Sequence, residues 1–557
     1  MPATGRIVVE PPPPGGDPDY PLPPREIVRG TGLAAAKIGD FGTRELEFAH
    51  TEPTRIGMLQ VLGSLSTTDG YVATLPEWRG TVDTAGWERH RWLETRWRRP
   101  LGKQLEVTAT IQGSEATRGL GTPYQHEHTR ALFASVALAG QSDSGFAWNG
   151  VAYAQNRASN RTFSAVNPSR TTETPLIDEV AEPARQLGFS WTGMWYHLND
   201  ARTNIGVDVR ALRGETKSSV NLSNELFTRE IGAGGEQLTS GVFAIHHRRL
   251  TPVLRGMAGV RLDWWNESDG HWRETDRVSG AVLRDMHQSR SSELDFSPSA
   301  GLVWSPTKYW RLRTAVQGSF RPPSLAERYR TFGNRNRLVE PNPMLKTEHT
   351  ASAEMSVDYT LATTFALSAR MFASQSRDAS GTRLIGGGSA DGLVSSLPSD
   401  TIEHRERINL DRIRVAGAEI SAMYRLQKTV TVEATLQLQN SRICDADETP
   451  LLAGHQMPYV PKHVASTTAI WQATAKLSVH GRVRWLGREF VNEENSRRLG
   501  EAIVADCGAS YALTVQTEFF LQMNNLGDAR VETLREATGV TYTSAPRMAL
   551  AGVRVTW

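Results

Sequence analysis

The feature that most constrains this chain is an alternation of apolar and polar residues with period two, which sends successive side chains to opposite faces of a sheet. In Val430-Thr431-Val432-Glu433-Ala434-Thr435-Leu436-Gln437-Leu438-Gln439 every even position is apolar and every odd position is polar or charged. Lys476-Leu477-Ser478-Val479-His480-Gly481-Arg482-Val483-Arg484-Trp485 repeats the pattern in the opposite phase, and Trp310-Arg311-Leu312-Arg313 does so more briefly. The last segment, Val553-Arg554-Val555-Thr556-Trp557, ends on an aromatic in the apolar set. Two geometries satisfy this pattern. In a soluble sandwich the apolar face packs on a second sheet and the polar face meets water. In a membrane barrel the apolar face meets lipid and the polar face lines a wet lumen.

Connection lengths separate the two. The sequence predicts about 22 strand segments of roughly 9 to 14 residues, the size expected of tilted barrel strands. Short connections are predicted at Thr51-Glu52-Pro53, Arg99-Pro100-Leu101-Gly102, His197-Leu198-Asn199-Asp200, Ser305-Pro306-Thr307-Lys308, Leu361-Ala362-Thr363, Leu426-Gln427-Lys428 and Gln472-Ala473-Thr474. Between them lie long polar stretches: Asn156 to Glu182, Gly214 to Glu236, Glu267 to Ser291, Phe320 to Leu345 and Ser376 to His404. A sandwich has no reason to gather its long loops at one end. An outer-membrane barrel does, with tight periplasmic turns and long extracellular loops. The fold expected is therefore all-β, a transmembrane antiparallel up-and-down barrel of about 22 strands. Many Trp residues fall inside or at the ends of predicted strands, among them Trp97, Trp195, Trp304, Trp310, Trp471 and Trp557, where barrels build interfacial girdles.

Composition agrees. Charged residues make up 22% and hydrophobic residues 39%, too polar for a helical membrane protein, and no apolar run approaches the ~20 residues of a transmembrane helix. The 48 Gly and 28 Pro suit a chain with many turns. Formal net charge is +2, with basic and acidic residues interspersed, which speaks against a nucleic-acid partner. Two cysteines, Cys444 and Cys507, make no disulfide framework and fall in different predicted elements. The start, Met1-Pro2-Ala3-Thr4-Gly5-Arg6, lacks the basic and apolar regions of a secretory signal.

A family resemblance emerges at Phe320-Arg321-Pro322-Pro323-Ser324-Leu325-Ala326-Glu327-Arg328-Tyr329, which resembles the Arg-x-Pro-x-Leu-x-Glu-x-Tyr motif of TonB-dependent receptors. Asn342-Pro343-Met344-Leu345-Lys346-Thr347-Glu348 with Glu354, then Val415-Ala416-Gly417-Ala418-Glu419, Glu493-Glu494-Asn495-Ser496 and Asn524-Asn525-Leu526-Gly527-Asp528, resemble later motifs of that family in the same order. Glu26 to Lys37, the tight Phe41-Gly42-Thr43, and Glu45 to His50 look like its first barrel hairpin. The resemblance implies a receptor of the Gram-negative outer membrane that imports a scarce nutrient, of the ferric siderophore or cobalamin class, as a monomer with no enzymatic activity and no resident cofactor. Its partners would be outer-membrane lipid and a small-molecule ligand, with the TonB complex added only if a plug and TonB box are present. Residues 26–557 are expected to form the barrel and residues 1–25 a Pro/Gly-rich segment. In that segment Gly5-Arg6-Ile7-Val8-Val9-Glu10 reads as the remnant of a plug strand, the front end being either miscalled or lost from the gene. A plugless passive channel or truncated receptor, and a soluble all-β binding protein, are the alternatives.

Candidate site residues follow from motif and phase. Arg321, Glu327 and Tyr329 carry the family motif, and their expected role is to order the loop mouth. Arg311, Arg313, Arg482 and Arg484 are predicted to face the lumen, where they solvate the wall or contact an anionic ligand or a plug. No metal centre is predicted; His126 and His128, with Glu127 between them in a predicted loop, are weak candidates because His and carboxylate are metal donors. His246-His247 in a strand point to opposite faces and cannot share an ion. No Gly-rich phosphate loop and no Gly-x-Ser-x-Gly elbow occurs, and nothing marks out a catalytic Ser/His pair.

Overall fold

The structure, a computed structural model, describes residues 30–197, 200–362, 364–387, 402–427 and 429–557. The predicted N-terminal segment 1–25 and the first residues of the predicted opening strand lie outside these.

Twenty-two strands form one antiparallel sheet that closes on itself. The first eleven are β1 (Thr31–Gly39), β2 (Thr43–Thr54), β3 (Gly57–Thr68), β4 (Glu88–Leu101), β5 (Leu105–Gly119), β6 (His126–Gln141), β7 (Phe146–Val166), β8 (Glu173–His197), β9 (Ala201–Ser223), β10 (Leu226–Thr251) and β11 (Leu254–Asp276). The rest are β12 (Ser291–Trp304), β13 (Trp310–Arg321), β14 (Glu348–Leu361), β15 (Phe365–Gly387), β16 (Glu403–Leu426), β17 (Val430–Asp445), β18 (His463–Gln472), β19 (Leu477–Leu486), β20 (Ala502–Ala512), β21 (Thr517–Asn524) and β22 (Met548–Thr556). The ring closes where β22 pairs with β1, from Leu33↔Thr556 to Gly39↔Leu550. Gly32 lies beside that ladder against the Trp557 indole, which a Cβ there would push aside. Closure removes the unpaired edge that hydrocarbon would not tolerate.

Connections between even and following odd strands are two to five residues long, all at one end, and every connection longer than six residues lies at the other end. This is the predicted alternation, with several boundaries moved. The first strand starts at Thr31 and runs past Lys37 to Gly39. Thr51-Glu52-Pro53 lies inside β2, and the turn falls at Arg55-Ile56. Pro53 removes at most one ladder donor near a hairpin end, where that loss is tolerated. Likewise Arg99-Pro100-Leu101 finish β4, and the turn begins at Gly102, whose φ of +81° needs glycine.

The larger correction concerns strand length. β7 to β11, β15 and β16 run 21 to 26 residues, well beyond the predicted 9 to 14. Asn156 to Glu182 and Gly214 to Glu236 are mostly ladder, the second closed by a two-residue turn with Asn224 and Glu225 both in the left-handed region. Outside the membrane both faces of a hairpin meet polar surroundings, so alternation vanishes while backbone pairing continues.

Exposure of the alternating set decides what surrounds the wall. On β12 Leu294 and Phe296 are 64% and 62% exposed, and on β13 Val316 is 55% exposed. A soluble sandwich would bury these residues; here they form the band that meets lipid. Beside the short turns a run of rings crosses four adjacent strands: Trp310 to Tyr359 (4.7 Å between centroids), Tyr359 to Phe365 (6.3 Å) and Phe365 to Tyr424 (6.4 Å). Phe146 and Trp195, 4.5 Å apart, continue the girdle on β7 and β8.

One seam departs from the regular wall. β12 pairs with β11 along its whole length, and β13 with β14 up to Arg321↔Glu348, but β12 and β13 pair only over Ser299–Trp304 against Leu312–Gln317. Toward the long-loop end these two edges part. Pro298, which has no N–H to donate, sits where the ladder stops.

Candidate functional site

The two buried apolar clusters lie at the long-loop end. One gathers Phe163, Ile177, Val220, Trp272, Leu325 and Tyr329, and the other Ile408, Leu410, Ile413 and Ile443. Connections therefore fold inward over the lumen and bury a core there.

The 322–347 connection is the centre of this cover. Ser324 caps the helix α1 (Leu325–Tyr329): its Oγ accepts from the Glu327 amide at 3.2 Å, and its own amide donates to Glu327 Oε2 at 2.9 Å. Arg321, the last residue of β13, reaches Glu327 at 3.0 Å and Glu348, the first of β14, at 3.3 Å. Burial alone would raise the Glu327 carboxyl, but the Ser324 amide and then Arg321 outweigh it and hold the group at about 2. Two residues on, the Tyr329 hydroxyl donates to Glu267 Oε1 of β11 at 2.6 Å, and Arg328 lies 3.3 Å from the same oxygen. Burial, then the neighbouring Glu267 carboxylate, push the Tyr329 hydroxyl well above its ordinary range, so it stays a donor at neutral pH. A Cβ on Gly270 would run into that hydroxyl, so glycine makes room for the docked ring. Arg330 donates to Glu179 of β8 at 2.7 Å. Beyond the helix a hairpin, Phe332–Asn334 with Arg337–Glu340, lays its second arm parallel to β16, from Arg337↔Glu403 to Glu340↔Glu406.

Two further networks complete the cover. Arg405 of β16, only 1% exposed, donates to Glu403 at 2.8 Å, Glu493 at 2.9 Å and Glu494 at 2.7 Å, and to Thr382 of β15 at 2.8 Å. Arg497 adds a second guanidinium to Glu403 at 2.6 Å. Burial would raise the Glu403 carboxyl, but Arg497 and Arg405 bring it below its usual range. Across the mouth, Arg170 of the 167–172 connection is 2% exposed and grips Asp83 of the 69–87 connection with two bonds of 2.8 and 2.7 Å. It also reaches the Tyr542 hydroxyl of the 525–547 connection at 3.2 Å, and that hydroxyl donates to Glu536 at 2.5 Å. Burial and the Glu536 carboxylate push Tyr542 up to about 12. Buried charges of this kind are tolerated only when paired, so each network fixes the connections that supply it. The arrangement builds a polar cover at the long-loop end of the barrel.

The sequence matches the family described as TonB dependent receptor-like, beta-barrel, over residues 67–526. The chain belongs to the TonB-dependent receptors. It is 23% identical over 360 residues to the iron-regulated outer membrane virulence protein of Vibrio cholerae serotype O1, a match covering 62% of this chain and 53% of that protein. The chain thus spans about half the length of the curated relatives it matches. Its fold is similar to the ferric yersiniabactin uptake receptor FyuA from Yersinia pestis, at 14% identity and TM-score 0.74 over 95% of this chain and 80% of that one. The siderophore receptor PiuA from Acinetobacter baumannii matches at 12% and 0.74 (95% and 82% covered), and the copper transporter OprC at 13% and 0.74 (95% and 80%). This TonB-dependent receptor barrel is thereby placed in the outer membrane of a Gram-negative bacterium, with its long connections extracellular and its short turns periplasmic, in a family of transport receptors.

In the receptor, the sequence candidates fall at three heights. Arg321 and Glu327 meet at the extracellular mouth, with Tyr329 beside them. Arg311 and Arg313 lie on the same strand about 30 Å toward the periplasm, where Arg313 pairs with Asp358 at 2.7 Å. Arg482 and Arg484 sit midway on β19, on the face opposite the exposed Val483, and Arg484 pairs with Asp506 at 3.0 Å. Arg311 and Arg482 have no acidic partner among the described residues. His126 and His128 open β6, where a loop was predicted, and each has its own partner: the Tyr124 carbonyl at 2.9 Å and Thr117 at 2.8 Å. Cys444 and Cys507 are both free. Sequence reasoning missed Glu267, Arg405 and Arg170. Their partners lie 62, 88 and 372 positions away (Tyr329, Glu493 and Tyr542), and no local motif could announce them.

Proposed function

We propose that this receptor barrel takes up a scarce nutrient of the ferric siderophore or cobalamin class, captured under the extracellular cover and moved inward by a TonB-driven plug. The observation that carries this reading is the cover itself, in which three ion-paired networks with buried arginines fasten the long connections to one another and to the wall. The names of similar proteins, a ferric yersiniabactin uptake receptor and an iron-regulated outer membrane protein, support iron chelates as the first class to try. Ferric siderophores commonly carry net negative charge, for which Arg482, without an acidic partner among the described residues, offers a lumenal cation. The test is quenching of the intrinsic fluorescence of the 15 tryptophans by a panel of ferric catecholate, hydroxamate and phenolate chelates and by cobalamin. Saturable quenching by one member at micromolar concentration or below is expected. Silence across the panel, together with steady conductance in a planar bilayer, would replace the receptor reading with a passive channel.

A further inference from the structure

The seam between β12 and β13 brings together three metal-binding side chains that the receptor reading leaves unused. Glu293 and Asp295 stand on β12 beyond the point where its ladder with β13 stops, and His349 stands on β14. One donor atom from each lies within 4.8 Å of the other two, and among the described residues this is the one such grouping of three. His349 Nε2 is 2.6 Å from Asp295 Oδ1 and 3.9 Å from a Glu293 oxygen. Around a tetrahedral zinc ion, donor atoms stand about 3.3 Å apart, so these separations bracket the required spacing.

Two observations point to a cation as the ligand. The first is the other oxygen of the same carboxylate. Asp295 is 6% exposed, yet its Oδ2 has no hydrogen-bond partner. A buried, unsatisfied carboxylate oxygen is costly, and a metal ion is one of the few groups that satisfies it. The second is charge. Buried Glu179, Asp263, Glu267, Glu274, Glu403 and Glu493 each meet an arginine, whereas among the described residues the one ion-pairing neighbour of buried Asp295 and half-buried Glu293 is the imidazole of His349. Thr347 donates to the other Glu293 oxygen and fixes that carboxylate as a second-layer partner.

We propose that Glu293, Asp295 and His349 form a divalent cation site, of the zinc type, that staples β12 to β14 across the parted seam. One imidazole and two carboxylates suit Zn²⁺ better than Ca²⁺ or Mg²⁺, which favour all-oxygen shells. Three protein donors leave a fourth position for water. The ion replaces the hydrogen held between His349 and Asp295, and His349 coordinates in its neutral form.

The test titrates the full, untagged chain, folded in detergent micelles, with Zn²⁺ alone by calorimetry, with Ca²⁺ as comparison. One Zn²⁺ per chain is expected, and His349→Ala and Asp295→Asn should each weaken it at least tenfold. A His126→Ala/His128→Ala double variant should leave it unchanged. Absence of Zn²⁺ binding, or binding indifferent to His349 and Asp295, overturns the proposal. A second measurement needs no variant: Zn²⁺ should protect His349 of the native chain from diethyl pyrocarbonate, read by peptide mass spectrometry. Equal labelling of His349 with and without zinc overturns it as well.

Discussion

The Tyr329 hydroxyl donates to Glu267 Oε1 across 2.6 Å and fastens the helix of the 322–347 connection to the wall strand β11. Both residues are buried, so removing the hydroxyl leaves an oxygen of Glu267 facing Arg328 alone. Tyr329→Phe should loosen the connection by about 1–2 kcal/mol, the cost of an unmade buried bond to a charged acceptor. Hydrogen exchange over residues 324–347 should speed up while exchange in the barrel strands stays unchanged. Uniform exchange across both variants would show that the bond does not hold the cover down.

Arg405 carries a heavier load, since three carboxylates converge on one guanidinium that is almost wholly withdrawn from water. Arg405→Met leaves Glu493 without its cation, and breaking a buried pair in this way costs about 3–5 kcal/mol. The expected result is local: increased proteolysis of the 487–501 connection, with heat-modifiable migration of the barrel retained. Arg405→Lys should rescue only part of the loss, because one ammonium cannot reproduce the fork that meets three carboxylates and Thr382. Wild-type protease resistance in Arg405→Met would refute the assignment.

Acid should act on the cover through Glu327. Its folded carboxyl titrates near 2 against an ordinary value of 4.5, so the ionised form is favoured by the folded helix cap. The stabilisation is complete above about 4.5 and is lost progressively as pH falls toward 2. Order in the 322–347 connection should therefore persist at pH 5 and fail between pH 4 and 2. Glu327→Gln should flatten that profile, at a cost near 1 kcal/mol at neutral pH from the weakened capping box. Circular dichroism of the strands, being dominated by the ladder, should not follow this transition, whereas exchange of the Ser324 and Glu327 amides should.

How far the sequence reveals these features depends on whether they are local. The lipid-facing set of β17 and β19 is legible because alternate residues meet two different solvents. The same rule fails for the upper parts of β9 and β10, where Lys217, Ser218 and Ser219 pair with Gly232, Ile231 and Glu230 in a ladder that no hydrophobic phase marks. Arg321 and Glu327 are readable as a motif because a helix cap and its neighbour are six residues apart. Arg170, Asp83 and Tyr542 are not, because their meeting depends on three connections folding toward one another. His349 with Asp295 is hidden for a different reason: the contact exists only because β13 parts from β12, and strand phase alone would assign the two to opposite faces.

The assignment of faces itself can be tested at two adjacent residues. Val483 is 49% exposed and belongs to the outward set of β19, while Arg482 next to it points into the lumen, as does Arg484, which pairs with Asp506. A charge on the lipid side must leave water, and at the bilayer midplane an arginine there costs about 2–4 kcal/mol. Val483→Arg should therefore lower barrel stability by an amount of that order in lipid vesicles. Arg482→Val removes a lumenal charge with no acidic partner among the described residues and should change stability by less than about 0.5 kcal/mol. Urea titrations followed by tryptophan fluorescence measure both. The asymmetry is what matters: near-equal effects, or a costly Arg482→Val beside a neutral Val483→Arg, would mean that the polar residues of this strand face outward.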